Sequence, residues 1–220
     1  MSVAFTATPS APDRTRAALG SIGSVSLFDR NNTIFAEGDE AEHVYKVVSG
    51  GVRLCKMLPD GRRQIVEFAL PGDYFGIDWL ERHALTAEAM VDTTTVCYGR
   101  GRLTRLGDEN RDVRAEIFST LRHDLWAAQN HLVILGRQSA RERVAAFLLQ
   151  LLERRRDGAK NKIDLPMTRQ DIADYLGLTI ETVCRVLTAL KREGVIDIPD
   201  RHSLTVRNAE ALEDACTAED

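Results

Sequence analysis

The chain has 220 residues, of which 44% are hydrophobic, and its net charge is −4. This length allows one large or two modest domains, and no apolar run is long enough to span a membrane. The four cysteines form no CxxC pair and have no histidine beside them at metal-ligand spacing. We therefore expect no zinc, no iron–sulfur cluster and no disulfide framework, but reduced thiols in a cytoplasmic protein.

Residues 1–20 are rich in Ala, Thr, Ser and Pro, which predicts a flexible N-terminal arm. In residues 21–110, glycines recur at nearly even spacing, each beside a turn-forming partner: Gly38, Gly50, Gly61 and Gly72. Short alternating or apolar segments between these turns predict strands at 44–48, 52–57, 64–70 and 94–98. Short strands at such regular spacing are typical of an antiparallel sandwich or barrel.

A long helical pattern follows over residues 111–137. Its apolar residues come close to a heptad seam and are Ile117, Leu121, Leu125, Ala128, Leu132 and Leu135. The pattern predicts a dimerisation helix, although burial against the chain's own strands would give the same spacing and one helix can do both. Gly136 is then expected to mark a hinge before the second domain.

The twenty residues 169–188, RQDIADYLGLTIETVCRVLT, predict a helix-turn-helix. Ala173 is small enough for two helices to cross closely, and Gly177 tolerates the positive φ of the turn. Thr179 is the predicted N-cap of the second helix. Five apolar residues would clamp the two helices together: Ile172, Leu176, Leu178, Val183 and Val186.

The outward face of that second helix would carry Thr179, Glu181, Thr182, Cys184 and Arg185. Glu181 and Arg185 are four residues apart and share one face. An intrahelical ion pair would explain this spacing on an ordinary helix. On a recognition helix we favour base readout, because Arg can grip guanine in a bidentate fork and Glu can accept from cytosine.

The segments around this motif indicate a winged domain over residues 138–209. A helix capped by Ser139 should extend to Leu152, and a hairpin should join 196–198 to 203–206. Residues 137–207 hold 14 basic against 10 acidic residues, so the positive charge coincides with the motif as phosphate binding requires. Residues 210–220 form an acidic tail.

The string MTRQDIADYLGLTIETVCRVLTALKREGVI resembles the C-terminal domain of the CRP/FNR transcription regulators, and its Cys before Arg is most similar to the FixK-type branch of alpha-proteobacteria. EGDEAEHVYKVVSGGVRL and DGRRQIVEFALPGDYFG resemble the cyclic-nucleotide-binding-type β-roll of that family. The resemblance implies an α+β fold: an N-terminal antiparallel β-roll, a long dimerisation helix and a C-terminal winged helix-turn-helix.

For function, the resemblance implies a homodimer that binds a palindromic TTGA-spacer-TCAA-type site in double-stranded DNA and activates transcription through RNA polymerase. Thr168, Arg169 and Gln170 would lie near phosphates. An enzyme is not expected, because the sequence holds no Ser/His/Asp constellation, no phosphate-binding glycine loop and no paired carboxylates in a motif context.

Nucleotide-binding members of the family carry Glu after the FG motif and an Arg-Ser/Thr pair further on. Here Gly76 is followed by Ile77, and the later stretch reads LTAEA, in which Glu88 would repel a phosphate. Two alternatives remain open: the alignment could be shifted by a residue or two, and Arg82 could serve from another angle. We expect no cofactor in the roll. The alternative is a regulator of the same fold switched by a small molecule bound there.

The other sensing sites of the family also lack their residues. An N-terminal iron–sulfur cluster would require cysteines near the start of the chain, but no cysteine precedes Cys55. His43 and His83 are lone histidines without a second feature that favours haem binding.

Cys184 is then the remaining candidate sensor. It lies in the first turns of a helix directly before an arginine, and both features favour a thiolate. Oxidation would add bulk and charge against the DNA, so we hypothesise a redox brake; a small residue that merely fills space is the alternative. Cys55 and Cys97 are expected in the core, and Cys216 has no assigned role.

Overall fold

The computed structural model describes residues 13–78, 81–137, 139–154 and 161–216. They fall into two compact units, and the division lies inside one long helix, α3 (Arg111–Arg137), between Asn130 and His131. None of the helices in these ranges is long and apolar enough to cross a membrane.

The first unit contains two antiparallel four-stranded sheets, ordered β1-β8-β3-β6 and β2-β7-β4-β5. Their strands are β1 Gly23–Phe28, β2 Thr33–Phe35, β3 His43–Ser49, β4 Val52–Met57, β5 Arg63–Ala69, β6 Tyr74–Phe75, β7 Thr86–Ala89 and β8 Thr93–Gly99. The predicted α+β fold with an antiparallel roll is thereby confirmed.

The core of the roll is formed by apolar side chains from both sheets, which alternate with outward residues along each strand. They are Phe35, Val47, Val52, Leu54, Ala69, Phe75 and Ala87. The predicted strand at 52–57 matches β4, and the three others differ from β3, β5 and β8 by one residue at each end. The short strands β6 and β7 carry too few residues to show a pattern.

A second apolar cluster joins three helices to the β3–β6–β8 side of the roll. The helices are α1 Asp13–Gly20, α2 Arg100–Glu109 and the start of α3. The cluster contains Leu19, Val44, Tyr74, Tyr98, Leu103 and Val113. The predicted flexible arm is therefore wrong for residues 13–20, because Leu19 gains a buried site on the roll. Residues 1–12 lie outside the described ranges.

Among the described residues that follow α3, the second unit contains four helices and a three-stranded sheet ordered β10-β11-β9. Its elements are α4 Ala140–Glu153, β9 Lys162–Asp164, α5 Arg169–Leu176, α6 Ile180–Arg192, β10 Ile196–Asp197, β11 Ser203–Val206 and α7 Ala209–Asp214. Ser139 caps α4 in a capping box with Glu142, as predicted for a cap at this residue. The sequence did not predict strand β9, because its three residues belong to no segment of alternating apolar and polar residues.

The predicted hinge at Gly136 is not a break in the structure. Gly136 lies within the last turn of α3, which continues to Arg137, and Gln138 lies outside the described residues. The last turns of α3 belong to the second unit. There the ring of His131 stacks on Tyr175 at 3.9 Å, and its Nε2 donates to the Tyr175 carbonyl oxygen at 2.9 Å. Burial lowers the pKa of His131.

Part of the acidic tail is helical. Asn208 caps the short helix α7, and Leu212 and Ala215 are buried against the second unit. Apolar residues three apart thus pack part of the acidic tail against the rest of the second unit. Residues 217–220 lie outside the described ranges.

Candidate DNA-reading face and dimerisation seam

The helix-turn-helix forms where the sequence predicts it. Thr168 caps α5 in a capping box with Asp171, and Gly177 ends it with φ +62°. That left-handed conformation favours glycine because it has no Cβ. Thr179 then caps α6 by accepting from the Thr182 amide. A turn this short fixes the direction of α6 relative to α5.

The clamp between the two helices is buried almost completely. Ile172, Ala173, Leu176 and Val183 are each at most 1% exposed. Val186 is buried and Leu178 is half-buried. The inward face of α6 continues through Leu187 and Leu190, which had not been included in the predicted clamp. Because this face is fully used for packing, the opposite face of α6 is left to solvent.

That opposite face carries the predicted reading residues. Thr179, Glu181, Cys184 and Arg185 are exposed, and Thr182 is half-buried. Among the described residues, Arg185 has no ion-pair partner, so the intrahelical pair with Glu181 is not formed. Instead, backbone and Thr179 hydrogen bonds at the helix start lower the pKa of Glu181. The face therefore presents the guanidinium of Arg185 and the carboxylate of Glu181 to solvent.

The three residues expected near phosphates are partly engaged within α5. The Thr168 hydroxyl bonds the Asp171 carboxylate at 2.7 Å, and the exposed Gln170 donates to Asp174 at 2.6 Å. Arg169 is half-buried, and its Nη1 is buried without a hydrogen-bond partner. Burial lowers the pKa of this guanidinium, while the nearby Cys184 sulfur acts in the opposite direction.

Cys184 is exposed on α6, with its carbonyl oxygen bonded to the Thr188 hydroxyl at 2.7 Å. Thr188 is itself exposed one turn further along the same face. The sequence pattern had not singled it out, although its i+4 spacing from Cys184 carries that signal. Cys55 is buried, as expected, and Cys97 is half-buried. The Cys216 thiol donates to the Leu212 carbonyl, and burial raises its pKa to about 11.

The winged hairpin also forms, from β10 and β11, with Arg201 and His202 exposed at its tip. The sequence did not assign these two residues to the site, because a predicted hairpin gives the positions of its strands more accurately than the positions of the residues at its tip. Lys191 of α6 donates to the Ile198 carbonyl at 3.2 Å. This hydrogen bond joins the C-terminal end of α6 to the hairpin of β10 and β11.

The stretch of the roll that the family pattern expects to supply an arginine, LTAEA, carries none. Leu85, the first residue of this stretch, is partly buried and packs against the apolar core of the roll. Glu88 does not stand alone, because the Arg53 guanidinium lies 2.8 Å from it. His83 is buried, stacks on Phe35 at 3.6 Å and holds Asp78 at 2.7 Å. The described residues contain no cluster of three or more metal-ligating side chains.

The outer face of α3 carries exposed apolar side chains at heptad spacing. Phe118, Leu125 and Leu132 are 58%, 61% and 71% exposed. Ala128 is also exposed, and Leu121 is half-buried. Two residues of the predicted seam lie elsewhere. Ile117 packs against the cluster between α3 and the roll, and Leu135 lies close to Gly177. Phe118 takes the seam position that had been given to Ile117.

The comparisons with known proteins cover both units. A family model of the cyclic nucleotide-binding domain matches residues 26–110, and one of the Crp-like helix-turn-helix domain matches residues 142–215. The chain is 43% identical over 199 residues to the nitrogen fixation regulation protein FixK of Azorhizobium caulinodans, covering 88% of this chain and 79% of that protein.

Two further relatives extend these matches. The transcriptional activatory protein AadR of Rhodopseudomonas palustris is 46% identical over 173 residues, which cover 76% of this chain and 71% of that protein. The structure of FixK2 from Bradyrhizobium japonicum superposes with a TM-score of 0.84 at 37% identity, covering 90% of this chain and all of that one. These relatives are regulators of gene expression and not enzymes.

Proposed function

The chain belongs to the CRP/FNR family of transcription regulators, and from that premise we propose that it is a homodimeric activator. It reads a palindrome of the TTGA-spacer-TCAA type in double-stranded DNA and contacts RNA polymerase from the bound site. As a DNA-binding activator it acts in the cytoplasm. The observation that carries this proposal is the exposed face of α6, on which Arg185 and Glu181 do not form an ion pair with each other.

Each residue of that face has a proposed role. Arg185 grips guanine O6 and N7, and Glu181 accepts from N4 of the paired cytosine. Thr179, Thr182 and Cys184 lie against the backbone or base edges, while Thr168, Arg169 and Gln170 face phosphates.

A homodimer that pairs along α3 would explain why the DNA site is a palindrome. The exposed row Phe118, Leu125 and Leu132 repeats every seven residues, as a two-helix seam requires. A two-fold dimer places two α6 helices on half-sites about one DNA turn apart, so the contacts of both add.

DNA binding in this proposal needs no ligand in the roll. The stretch expected to supply the arginine that holds a cyclic phosphate reads LTAEA; its Leu85 packs against the core of the roll, and its Glu88 pairs with Arg53. A buried phosphodiester without a cationic or amide cradle is costly. No iron–sulfur ligand set precedes Cys55 either.

Titration of a fluorescent palindromic duplex tests this proposal. The reduced protein should bind without added nucleotide, and the logarithm of its binding constant should fall linearly with the logarithm of salt concentration. A duplex with both half-sites scrambled is the control. Binding that requires cyclic AMP would instead favour the ligand-gated alternative, and equal affinity for the scrambled duplex would contradict sequence-specific reading.

We further propose that oxidation of Cys184 inhibits DNA binding. Peroxide converts a thiolate to a sulfenate with release of water, and further oxidation leaves a permanent negative charge. Cys184 is exposed on the face that meets DNA, so this charge opposes phosphates. A loss of about 1.4 kcal/mol is enough to weaken binding tenfold.

The prediction is that peroxide weakens DNA binding of the wild-type protein at least about tenfold and leaves Cys184→Ser nearly unchanged. Cys216→Ser serves as the matched control, because its half-buried thiol donates to the Leu212 carbonyl of α7 and is not on the exposed face of α6, so its loss should not protect. Binding is measured by anisotropy before and after treatment. Equal losses in wild type and Cys184→Ser would rule out the redox brake.

A further inference from the structure

Two side chains from different helices hold the C-terminal end of α5 within the second unit. His131 Nε2, near the end of α3, donates to the Tyr175 carbonyl oxygen at 2.9 Å. Arg143 Nη1, on α4, donates to the Leu176 carbonyl oxygen at 3.1 Å. The last carbonyls of a helix have no partner within the helix, so donors from elsewhere can bind them. Because hydrogen bonds are directional, two consecutive carbonyls held from two helices fix both the position and the direction of the end of α5.

The ring of His131 adds a second constraint on the same helix end. It is 7% exposed and stacks on the Tyr175 ring, with the centroids 3.9 Å and the planes 10° apart. Burial lowers the pKa of His131, so the ring is uncharged at neutral pH. Its one proton is on Nε2, because a carbonyl oxygen can only accept. A phenylalanine would stack in the same place but would leave the Tyr175 carbonyl without its donor.

The turn that leads to the reading helix starts at these two carbonyls. Gly177 follows Leu176 directly, and α6 starts at Ile180. Leu135 of α3 and Arg143 of α4 come within 3.6 and 3.7 Å of the place that a Cβ of Gly177 would take. Since so few residues separate the two helices, the end of α5 determines where α6 starts.

The same turns of α3 present apolar side chains to solvent. Leu132 is 71% and Val133 59% exposed, and both belong to the second unit, as His131 does. Leu132 ends the exposed row on which two copies pair in the proposed dimer. A helix is only about 10 Å across, so the hydrogen bonds that place α6 lie close to the proposed seam.

We propose that His131 and Arg143 are positioning residues that set the distance between the two half-sites read by the homodimer. They hold the end of α5, and through it α6, at a fixed place relative to the end of α3. In a two-fold dimer both copies make the same displacement, so a shift of α6 away from the axis changes the separation of the two α6 helices by twice its size. This role rests on the proposed homodimer.

Duplexes with different spacers between TTGA and TCAA test this role. One extra base pair moves a half-site by about 3.4 Å along the duplex and turns it by about 34° around the axis. The wild-type protein should therefore prefer one spacer length over its neighbours by at least about tenfold in affinity. His131→Phe, which keeps the ring but removes the donor, should reduce this preference severalfold. Its affinity for a duplex with one half-site scrambled should stay nearly unchanged, because that contact needs only one folded helix-turn-helix.

Two further variants complete the design. Arg143→Met removes the other donor and should reduce the spacer preference in the same way; it replaces His131→Phe if that variant does not fold. Gln129→Ala, which removes an exposed amide from α3, is the matched control and should leave the spacer preference unchanged.

Sedimentation and binding to the single half-site separate the outcomes. A monomeric wild-type protein would overturn both the homodimer and this role. A dimeric His131→Phe protein with the wild-type spacer preference would overturn only the positioning role. An equal fall in affinity for every spacer and for the single half-site would also overturn it, because the hydrogen bond would then support the fold without placing α6.

Discussion

Replacing Arg185 with alanine is expected to abolish the preference for one base pair in each half-site. Arg185 is exposed on α6 and has no ion-pair partner among the described residues, so its guanidinium is available for a bidentate contact with guanine. Such a contact discriminates by about 1–3 kcal/mol, which is about 5- to 150-fold in relative affinity. Binding to the consensus site should fall by this factor, while sites already mutated at that base pair should lose little.

The measurement compares wild-type and Arg185→Ala proteins on duplexes that vary one base pair at a time. Arg192→Ala is the matched control, because Arg192 is exposed at the far end of the same helix. Its loss should change affinity equally for all duplexes, with a smaller dependence on salt if it meets a phosphate. Uniform weakening by Arg185→Ala would contradict its assignment to a base.

Leu176→Ala is expected to be the most destabilising single change in the helix-turn-helix. Leu176 is fully buried at the end of α5, and truncation leaves a cavity beside the turn at Gly177. Such substitutions lower the free energy of unfolding by about 2–5 kcal/mol. DNA binding should fall with it, because α6 is positioned through this clamp.

Hydrogen exchange, read by mass spectrometry, locates the effect. Peptides from α5 and α6 should exchange much faster in Leu176→Ala, while those from the roll stay protected, since the chain has two compact units. Leu27→Ala is the control. Leu27 is 78% exposed on β1, and its loss should change stability by no more than about 0.5 kcal/mol. Unchanged exchange in α5 and α6 would show that the clamp does not hold the motif.

The parts of the fold that were predictable from sequence are those with local signals. Gly177 and Thr179 define the turn through backbone conformation and capping, and each acts on its immediate neighbours. Ser139 defines the start of α4 in the same way. Strand β4 lies between two glycine turns that fix its ends. These features need no knowledge of distant residues.

The parts that were missed depend on contacts between distant residues. The position of α1 depends on Leu19, which packs in one buried cluster with Val44 and Tyr74. No pattern in the first twenty residues shows these contacts. Ile117 and Phe118 fit the heptad about equally well by spacing. Only the packing of α3 on the roll turns Ile117 inward and Phe118 outward. Likewise, spacing cannot show that Arg169 is half-buried beside Cys184.

Selection of bound sequences from a random pool of double-stranded DNA tests the central claim most directly. Reduced full-length protein, without added nucleotide, should enrich an inverted repeat of TTGA and TCAA half-sites with a fixed spacing. In a parallel selection, Arg185→Ala should enrich the same repeat with one base pair per half-site randomised. Enrichment of a single unrepeated site, or of no sequence at all, would contradict a homodimer that reads DNA through α6.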